Sequence, residues 1–157
     1  MIKKLLIAFT ALLLIVPITL FLTLKISPLS WQLLGPVNED NDLAVKGYDV
    51  IEYMYNKHAT AGLNTKGLRY NDVIWYFSSE ENKVTFKAFP EKFLPQYGGY
   101  CAWAVSQGYT ASTDPTAWRV VDNKLYLNYS HGVQRQWAED IPGNIAKADK
   151  YWPKVLE

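Results

Sequence analysis

Val73-Ile74-Trp75-Tyr76-Phe77-Ser78-Ser79-Glu80-Glu81-Asn82 joins two kinds of structure within ten residues. Five consecutive β-branched or aromatic residues read as a strand. Asn71-Asp72 just before them is a turn signal, so Leu68 to Phe77 reads as a hairpin that ends in this strand. Ser78 stands three residues before Glu81, the spacing of a capping box, and a helix is expected from there toward Phe89. Phe86, Phe89 and Phe93 share a face at helical spacing if the helix resumes after Pro90.

The pattern has an echo. Tyr126, Ser130 and Trp137 follow Trp75, Ser79 and Phe86 at a constant offset of 51 residues. Each set reads as hairpin strand, serine, helix and aromatic knob. One such unit buries little surface, whereas two packed together can share a core. Trp118 to Val121 and Leu125 to Tyr129 are the expected strands of the second hairpin, with Asp122-Asn123 as its turn. Ser130 is a good helix cap, and Val133, Trp137 and Ile141 recur at i, i+4 and i+8. Pro142 interrupts, and Ile145, Ala148 and Trp152 form a last amphipathic face.

Between the units, Pro95 stops the first helix and Gly98-Gly99 frees the backbone. Tyr100 to Ser106 is expected as a short helix that ends near Gly108, followed by a polar connector, Thr110 to Trp118, with a turn at Asp114-Pro115. Upstream, Leu43-Ala44-Val45 starts the domain and Gly47-Tyr48-Asp49 turns the chain. Val50 to Tyr55 fits a strand or a short helix, and Asn56 to Gly67 reads as a loop. The expected fold class is α+β: small antiparallel hairpins, each followed by a helix.

Residues Leu5 to Leu24 form an almost unbroken apolar stretch of 20 residues, and as a helix this length rises about 30 Å, enough to cross a bilayer core. It is longer than the core of a cleaved signal peptide, and Ile26-Ser27-Pro28-Leu29 offers no clear cleavage site. Lys3 and Lys4 favour a cytoplasmic N-terminus and Lys25 weakens that bias. Residues 1–25 therefore read as a membrane anchor or uncleaved signal, 26–43 as a linker and 44–157 as the α+β domain. The expected place is the cytoplasmic (inner) membrane, single-pass, with the domain on the extracytoplasmic or periplasmic side. Without Lys3, Lys4 and Lys25 the chain has 13 basic and 15 acidic side chains, so no basic surface supports nucleic-acid binding. One cysteine excludes an internal disulfide.

That cysteine, Cys101, sits in Pro95-Gln96-Tyr97-Gly98-Gly99-Tyr100-Cys101-Ala102-Trp103. It reads two ways. It is a small buried hydrophobe, or a thiolate ligand or nucleophile whose pKa a helix start would lower. His131 follows the cap Ser130, and the positive end of a helix disfavours imidazolium, while a neutral imidazole is what a metal ligand needs. The plain alternative is a solvent-facing first-turn histidine. Cys101 and His131 are the candidate metal ligands, and copper is the candidate metal because thiolate and imidazole suit Cu(I). The same pair could form a Cys–His catalytic centre, with Asp49, Asp122 or Asn128 as the orienting group. His58 reads as a surface residue and Met54 as core filling. No zinc spacing, phosphate loop, dinucleotide fingerprint or Cys-x-x-Cys pair is present.

Several ordered stretches resemble the YHS-domain family in its secreted or membrane-attached long form. They are Ala44-Val45-Lys46-Gly47-Tyr48-Asp49-Val50, Trp75-Tyr76-Phe77-Ser78-Ser79-Glu80-Glu81-Asn82, Phe86-Lys87-Ala88-Phe89-Pro90-Glu91-Lys92-Phe93 and Pro95 to Ala102. Lys124 to Ser130 and Ile145 to Pro153 complete them, so that the likeness covers residues 44–153. The resemblance implies a compact α+β module in which a hairpin feeds a helix. Related short modules occur beside metal-transport and metallo-oxygenase domains and are often described as metal binders. Those versions place one cysteine just after the aromatic strand and another in the following helix. Here Ser78, Ser79, Glu80 and Glu81 occupy that stretch, so a metal site would have to use Cys101 and His131 instead. The expected function is a membrane-anchored extracytoplasmic binding module for a transition metal such as copper. The alternatives are an interaction module without metal, a small-molecule pocket and a Cys–His enzyme.

Overall fold

The computed structural model describes residues 35–152. The expected membrane segment and the first half of the linker lie outside the described residues, and no described helix is long and apolar enough to cross a membrane. The domain is α+β, with one mixed sheet, one small antiparallel sheet and packed helices.

The first unit contains strands β1 (Glu39–Asp40) and β2 (Leu43–Ala44), helix α1 (Val50–Tyr55), strands β3 (Leu63–Tyr70) and β4 (Val73–Phe77), and helix α2 (Glu80–Ala88). The second contains helix α3 (Ala102–Ser106), strands β5 (Asp114–Val121) and β6 (Lys124–Asn128), and helix α4 (His131–Ala138). Helix α5 (Ile141–Tyr151) closes the described chain. The mixed sheet has the order β1-β2-β4-β3, in which β2 and β4 run parallel and the other pairs antiparallel. The second sheet is the β5-β6 hairpin alone.

The echo in the sequence is a structural repeat. β5, β6 and α4 each begin 51 residues after β3, β4 and α2. The strand registers repeat as well: Gly67 pairs with Tyr76 as Trp118 pairs with Leu127, and Leu63 with Phe77 as Asp114 with Asn128. Both hairpins carry the same irregularity, between Leu63 and Gly67 and between Asp114 and Trp118. Asn71 and Asp72 turn with φ of 52° and 63°, and Asp122 and Asn123 with 49° and 58°. A two-residue hairpin turn with both φ values positive matches the right-handed twist of its strands, and Asn and Asp tolerate that conformation best after glycine. The aromatic knobs match too. Trp75 lies 5.3 Å from Phe86 between ring centroids at 30°, and Tyr126 lies 5.3 Å from Trp137 at 34°.

The two units interlock. Leu125 and Leu127 of β6 enter the core of Val50, Ile51, Tyr53, Trp75, Phe77 and Phe86. Tyr53 stacks edge-on against Trp118 at 5.2 Å and donates from its hydroxyl to the Pro115 carbonyl at 2.8 Å. A second core gathers Tyr97, Tyr100, Val105, Tyr126, Trp137 and Ala148 beneath α5.

Several local expectations change. The cap of α2 is Ser79, which accepts from Asn82 N at 3.0 Å, because Ser78 still belongs to the strand exit. Phe86 and Phe93 are buried, but Phe89 is 66% exposed. The chain leaves the helix at Phe89, where φ is −142° and ψ 58°, so no single helical face links the three rings. Val50–Tyr55 resolves as helix, and the loop expected to Gly67 gives way to strand at Leu63. β5 begins at Asp114, inside the expected connector. Pro142 lies in the first turn of α5, where a missing N–H costs nothing, and starts that helix rather than interrupting one.

The second half of the expected linker joins the fold. Asn38, 6% exposed, donates from Nδ2 to the Gly99 carbonyl and to Thr113 Oγ1, both at 3.1 Å. Its N–H bonds the Gly98 carbonyl at 2.8 Å. Gly98 is required there: φ is +60°, and a Cβ would fall 1.9 Å from the Pro36 carbonyl oxygen.

Candidate functional site

The repeat brings two equivalent junctions into view, each where a short helix meets the exit of a hairpin strand. In the first, Asp49 caps α1. Its Oδ1 accepts from Ile51 N at 2.9 Å, and its Oδ2 accepts from Ser78 N, Ser78 Oγ and Asn82 Nδ2, each at 2.8 Å. Glu52 Oε1 accepts from Asn82 Nδ2 at 2.8 Å and lies 3.2 Å from Ser78 Oγ. Glu52 Oε2 accepts from Asn56 Nδ2 at 2.9 Å and lies 3.5 Å from Thr60 Oγ1. The place is closed by polar side chains that satisfy one another.

The Asn56 amide holds the Glu52 carboxyl below its usual range; burial opposes this, and Asn82, Ser78 and Thr60 assist. A carboxyl whose pKa falls on folding adds stability above its unfolded pKa and loses it as pH falls through the folded value. Glu52→Gln is therefore expected to lower Tm at neutral pH, and the gap from wild type should close as pH drops through the glutamate range. A gap that is constant with pH would contradict this. Glu52 is half-buried, and solvent screening keeps the effect modest.

In the second junction Cys101 stands at the cap of α3. Asp49 accepts from the first residue beyond β4; Cys101 Sγ accepts from the first residue beyond β6, Tyr129 N, at 3.3 Å. The thiol faces Asn128 Oδ1 at 3.7 Å, and that oxygen accepts from Trp103 N at 3.2 Å. Burial pushes the Cys101 thiol above its ordinary pKa, against the pull of the Ala104, Tyr129 and Trp103 N–H groups.

Over this sulfur lies a pocket of about 140 Å³, lined by Cys101, Trp103, Ala104, Tyr109, Ala111, Tyr129 and Val133. Its wall is the first junction rewritten. Ala111, Tyr129 and Val133 follow Thr60, Ser78 and Asn82 by 51 residues each, and Ala104 follows Glu52 by the 52 residues that separate the caps Asp49 and Cys101. Four polar network residues are thus replaced by one aromatic and three aliphatic ones, and space remains where the first unit is filled. Two larger grooves, of about 410 and 310 Å³, meet at Pro95, Gly98 and Trp152. Both reach Trp152 at the C-terminal end of the described chain, and the smaller also reaches Pro36 and Val37 at its start.

His131 occupies the first position of α4, as its place after Ser130 predicts, but it does not join Cys101. It is exposed, its Nε2 lies 3.2 Å from Thr116 Oγ1 and its Nδ1 3.4 Å from Gln134 Oε1. It is no part of the pocket wall. His131 instead serves Asp114: burial opposes ionisation of that carboxyl, but the Thr116 hydroxyl and N–H, His131 and Lys46 together hold it below the usual carboxylate range. His58 is exposed and Met54 is buried in the first core. Of the three proposed orienting groups, only Asn128 touches the thiol; Asp49 serves the other junction, and Asp122 belongs to the hairpin turn.

The Cys101 surroundings do not fit a copper centre. The Tyr129 N–H at the sulfur repels a cation, the Asn128 amide oxygen is a hard donor that suits Cu(I) poorly, and among the described residues no three His, Cys, Asp or Glu side chains converge. Sequence reasoning found Cys101 but not its pocket. The signal was present in the offset itself, since it aligns Thr60, Ser78 and Asn82 with Ala111, Tyr129 and Val133.

No family model matches the chain, no curated protein is similar to it, and no solved structure shares its fold at a significant level.

Proposed function

We propose that this chain is a membrane-anchored, extracytoplasmic binding module of YHS type whose ligand is a small apolar molecule held over Cys101. The observation that carries the reading is the pocket itself: an apolar cleft in the second unit at the place where the first unit is closed by hydrogen-bonded polar groups. An apolar cavity of about 150 Å³ holds benzene or xenon. The ligand is therefore about one aromatic ring or a short branched alkyl group. Trp103 and Tyr109, edge-on at 6.3 Å, offer aromatic surface, and Tyr129 stands half open at the mouth. The thiol's partners among the described residues are the Tyr129 N–H and the Asn128 carboxamide oxygen, which supports binding rather than catalysis. The apolar stretch Leu5 to Leu24 supports the anchor and the extracytoplasmic location.

Phenol is a suitable soluble probe. Titrated into the full chain in detergent micelles, it is expected to shift the amide resonances of Trp103, Tyr129 and Val133 saturably. Val133→Trp fills the cleft and should weaken binding by about tenfold or more, which is about 1.4 kcal/mol. Cu(I) should bind equally to wild type, Cys101→Ala and His131→Ala. Absent phenol shifts, or equal shifts in Val133→Trp, would overturn the ligand reading; copper binding lost in both variants would restore a metal site.

A further inference from the structure

The chain enters the domain beside a groove, and its entry point is fixed. Tyr100, 3% exposed, donates from its hydroxyl to the Gly35 carbonyl at 3.0 Å. The Gly98 carbonyl accepts from Asn38 N at 2.8 Å. The left-handed conformation of Gly98 lets the Pro36 carbonyl approach where a Cβ would fall 1.9 Å from its oxygen. Gly35 to Asn38 therefore lie as a strap over Gly98 to Tyr100.

Pro36 and Val37 of the strap themselves line the groove of about 310 Å³, a volume within the range of ligand clefts. Trp75, Leu94, Pro95 and Trp152 make the rest of its lining mostly apolar, with Asn71 and Glu91 as the polar part. At Pro95, Gly98 and Trp152 it continues into the groove of about 410 Å³. Tyr100, which holds Gly35, meets Trp152 at 6.1 Å between ring centroids. Gly35 thus stands near the place where the two grooves join.

The residues that lead into the strap are apolar. Trp31-Gln32-Leu33-Leu34 ends directly at Gly35, and three of these four residues are large hydrophobes. Trp31 stands four residues before Gly35, so its backbone stays within about 14 Å of that anchor point. The groove and the segment that starts at its edge each lack a nearer apolar partner of this size, and their union removes apolar area from water. The far end of the chain is less suited. In Pro153-Lys154-Val155-Leu156-Glu157 the two aliphatic residues are flanked by charges.

We propose that Trp31-Gln32-Leu33-Leu34 docks into this groove, with the Trp31 indole against Leu94, Pro95 and Trp152. Where residues 1–25 anchor the chain in a membrane, as the proposed function has it, docking leaves residues 26–30 as the whole tether. Five residues reach at most about 18 Å, against about 32 Å for the nine residues 26–34. Docking then sets how far the domain stands from the bilayer and turns its Trp152 side toward it.

The test places the photoreactive residue p-benzoylphenylalanine at position 31 of the full chain in detergent micelles, and maps the cross-links by peptide mass spectrometry. Links within the chain to Leu94, Pro95 or Trp152 are expected, and the same photoreactive residue at position 156 is expected to give none there. Hydrogen exchange is the second reading. Leu33→Asp combined with Leu34→Asp is expected to speed exchange of the Asn38 N–H, which bonds the Gly98 carbonyl, by about tenfold or more. The amides of β5 and β6 should be unchanged. Links to detergent alone, links only between chains, groove links from position 156 instead of 31, or an unchanged Asn38 rate would each overturn the docking. The links form whether or not residues 1–25 cross a bilayer, so their absence would leave the membrane anchor standing.

Discussion

Asp49→Ala is expected to destabilise the domain by about 3–5 kcal/mol, the cost of leaving charge-binding buried groups without their partner. The carboxylate accepts from Ile51 N, Ser78 N, Ser78 Oγ and Asn82 Nδ2. It thereby ties the start of α1 to the strand β4 and to helix α2, three elements that are distant in sequence. Its side chain is fully buried, so water cannot replace it without opening the core. Cys101→Ala removes one longer bond from Tyr129 N and is expected to cost no more than about 1–2 kcal/mol. Denaturant unfolding of the two variants should show this asymmetry. A loss below about 1 kcal/mol in Asp49→Ala would contradict the role assigned to the first junction.

Trp137→Ala is expected to cost about 3–5 kcal/mol, the usual range for truncating a large buried aromatic. The ring is fully buried against Tyr126 at 5.3 Å and belongs to the core that joins α3, α4 and α5. Phe86→Ala, the corresponding change in the first unit, should cost a similar amount because Phe86 meets Trp75, Phe77 and Tyr70. Trp137→Phe is the informative control. The indole Nε1 has no hydrogen-bond partner among the described residues, so phenylalanine loses volume but also removes a costly buried donor. Its expected cost is well under half that of the alanine variant. Equal losses in the two Trp137 variants would mean that the indole N–H is bonded in solution.

The elements with regular period were legible from residues alone. Both hairpins, both serine-capped helices and the 51-residue echo follow from strand runs, turn pairs and cap residues. What was not legible depends on contacts remote in sequence. Val50–Tyr55 is too short for its period to decide, and it becomes a helix because Asp49 caps it while holding Ser78, 29 residues away. Phe89 fits a helical face by spacing and leaves it because Pro90 opens a new turn. Asn38 reads as linker, yet Gly99 and Thr113 bury it. The pairing of Cys101 with His131 rested on chemical suitability. The ring of His131 turns instead to Thr116 and Gln134, on the exposed side of α4. The pocket was hidden for a related reason: Ala104, Tyr129 and Val133 each look like ordinary core residues until their counterparts Glu52, Ser78 and Asn82 are seen to close the same space with hydrogen bonds.

Xenon-pressurised crystals of the protein test the apolar cleft most directly, since xenon enters dry apolar cavities and avoids polar ones. A xenon atom is expected between Trp103, Tyr129 and Val133, next to Cys101 Sγ, and none at the Asp49–Asn82 junction. Ordered water in the cleft, or no xenon there, would contradict an apolar binding site over Cys101.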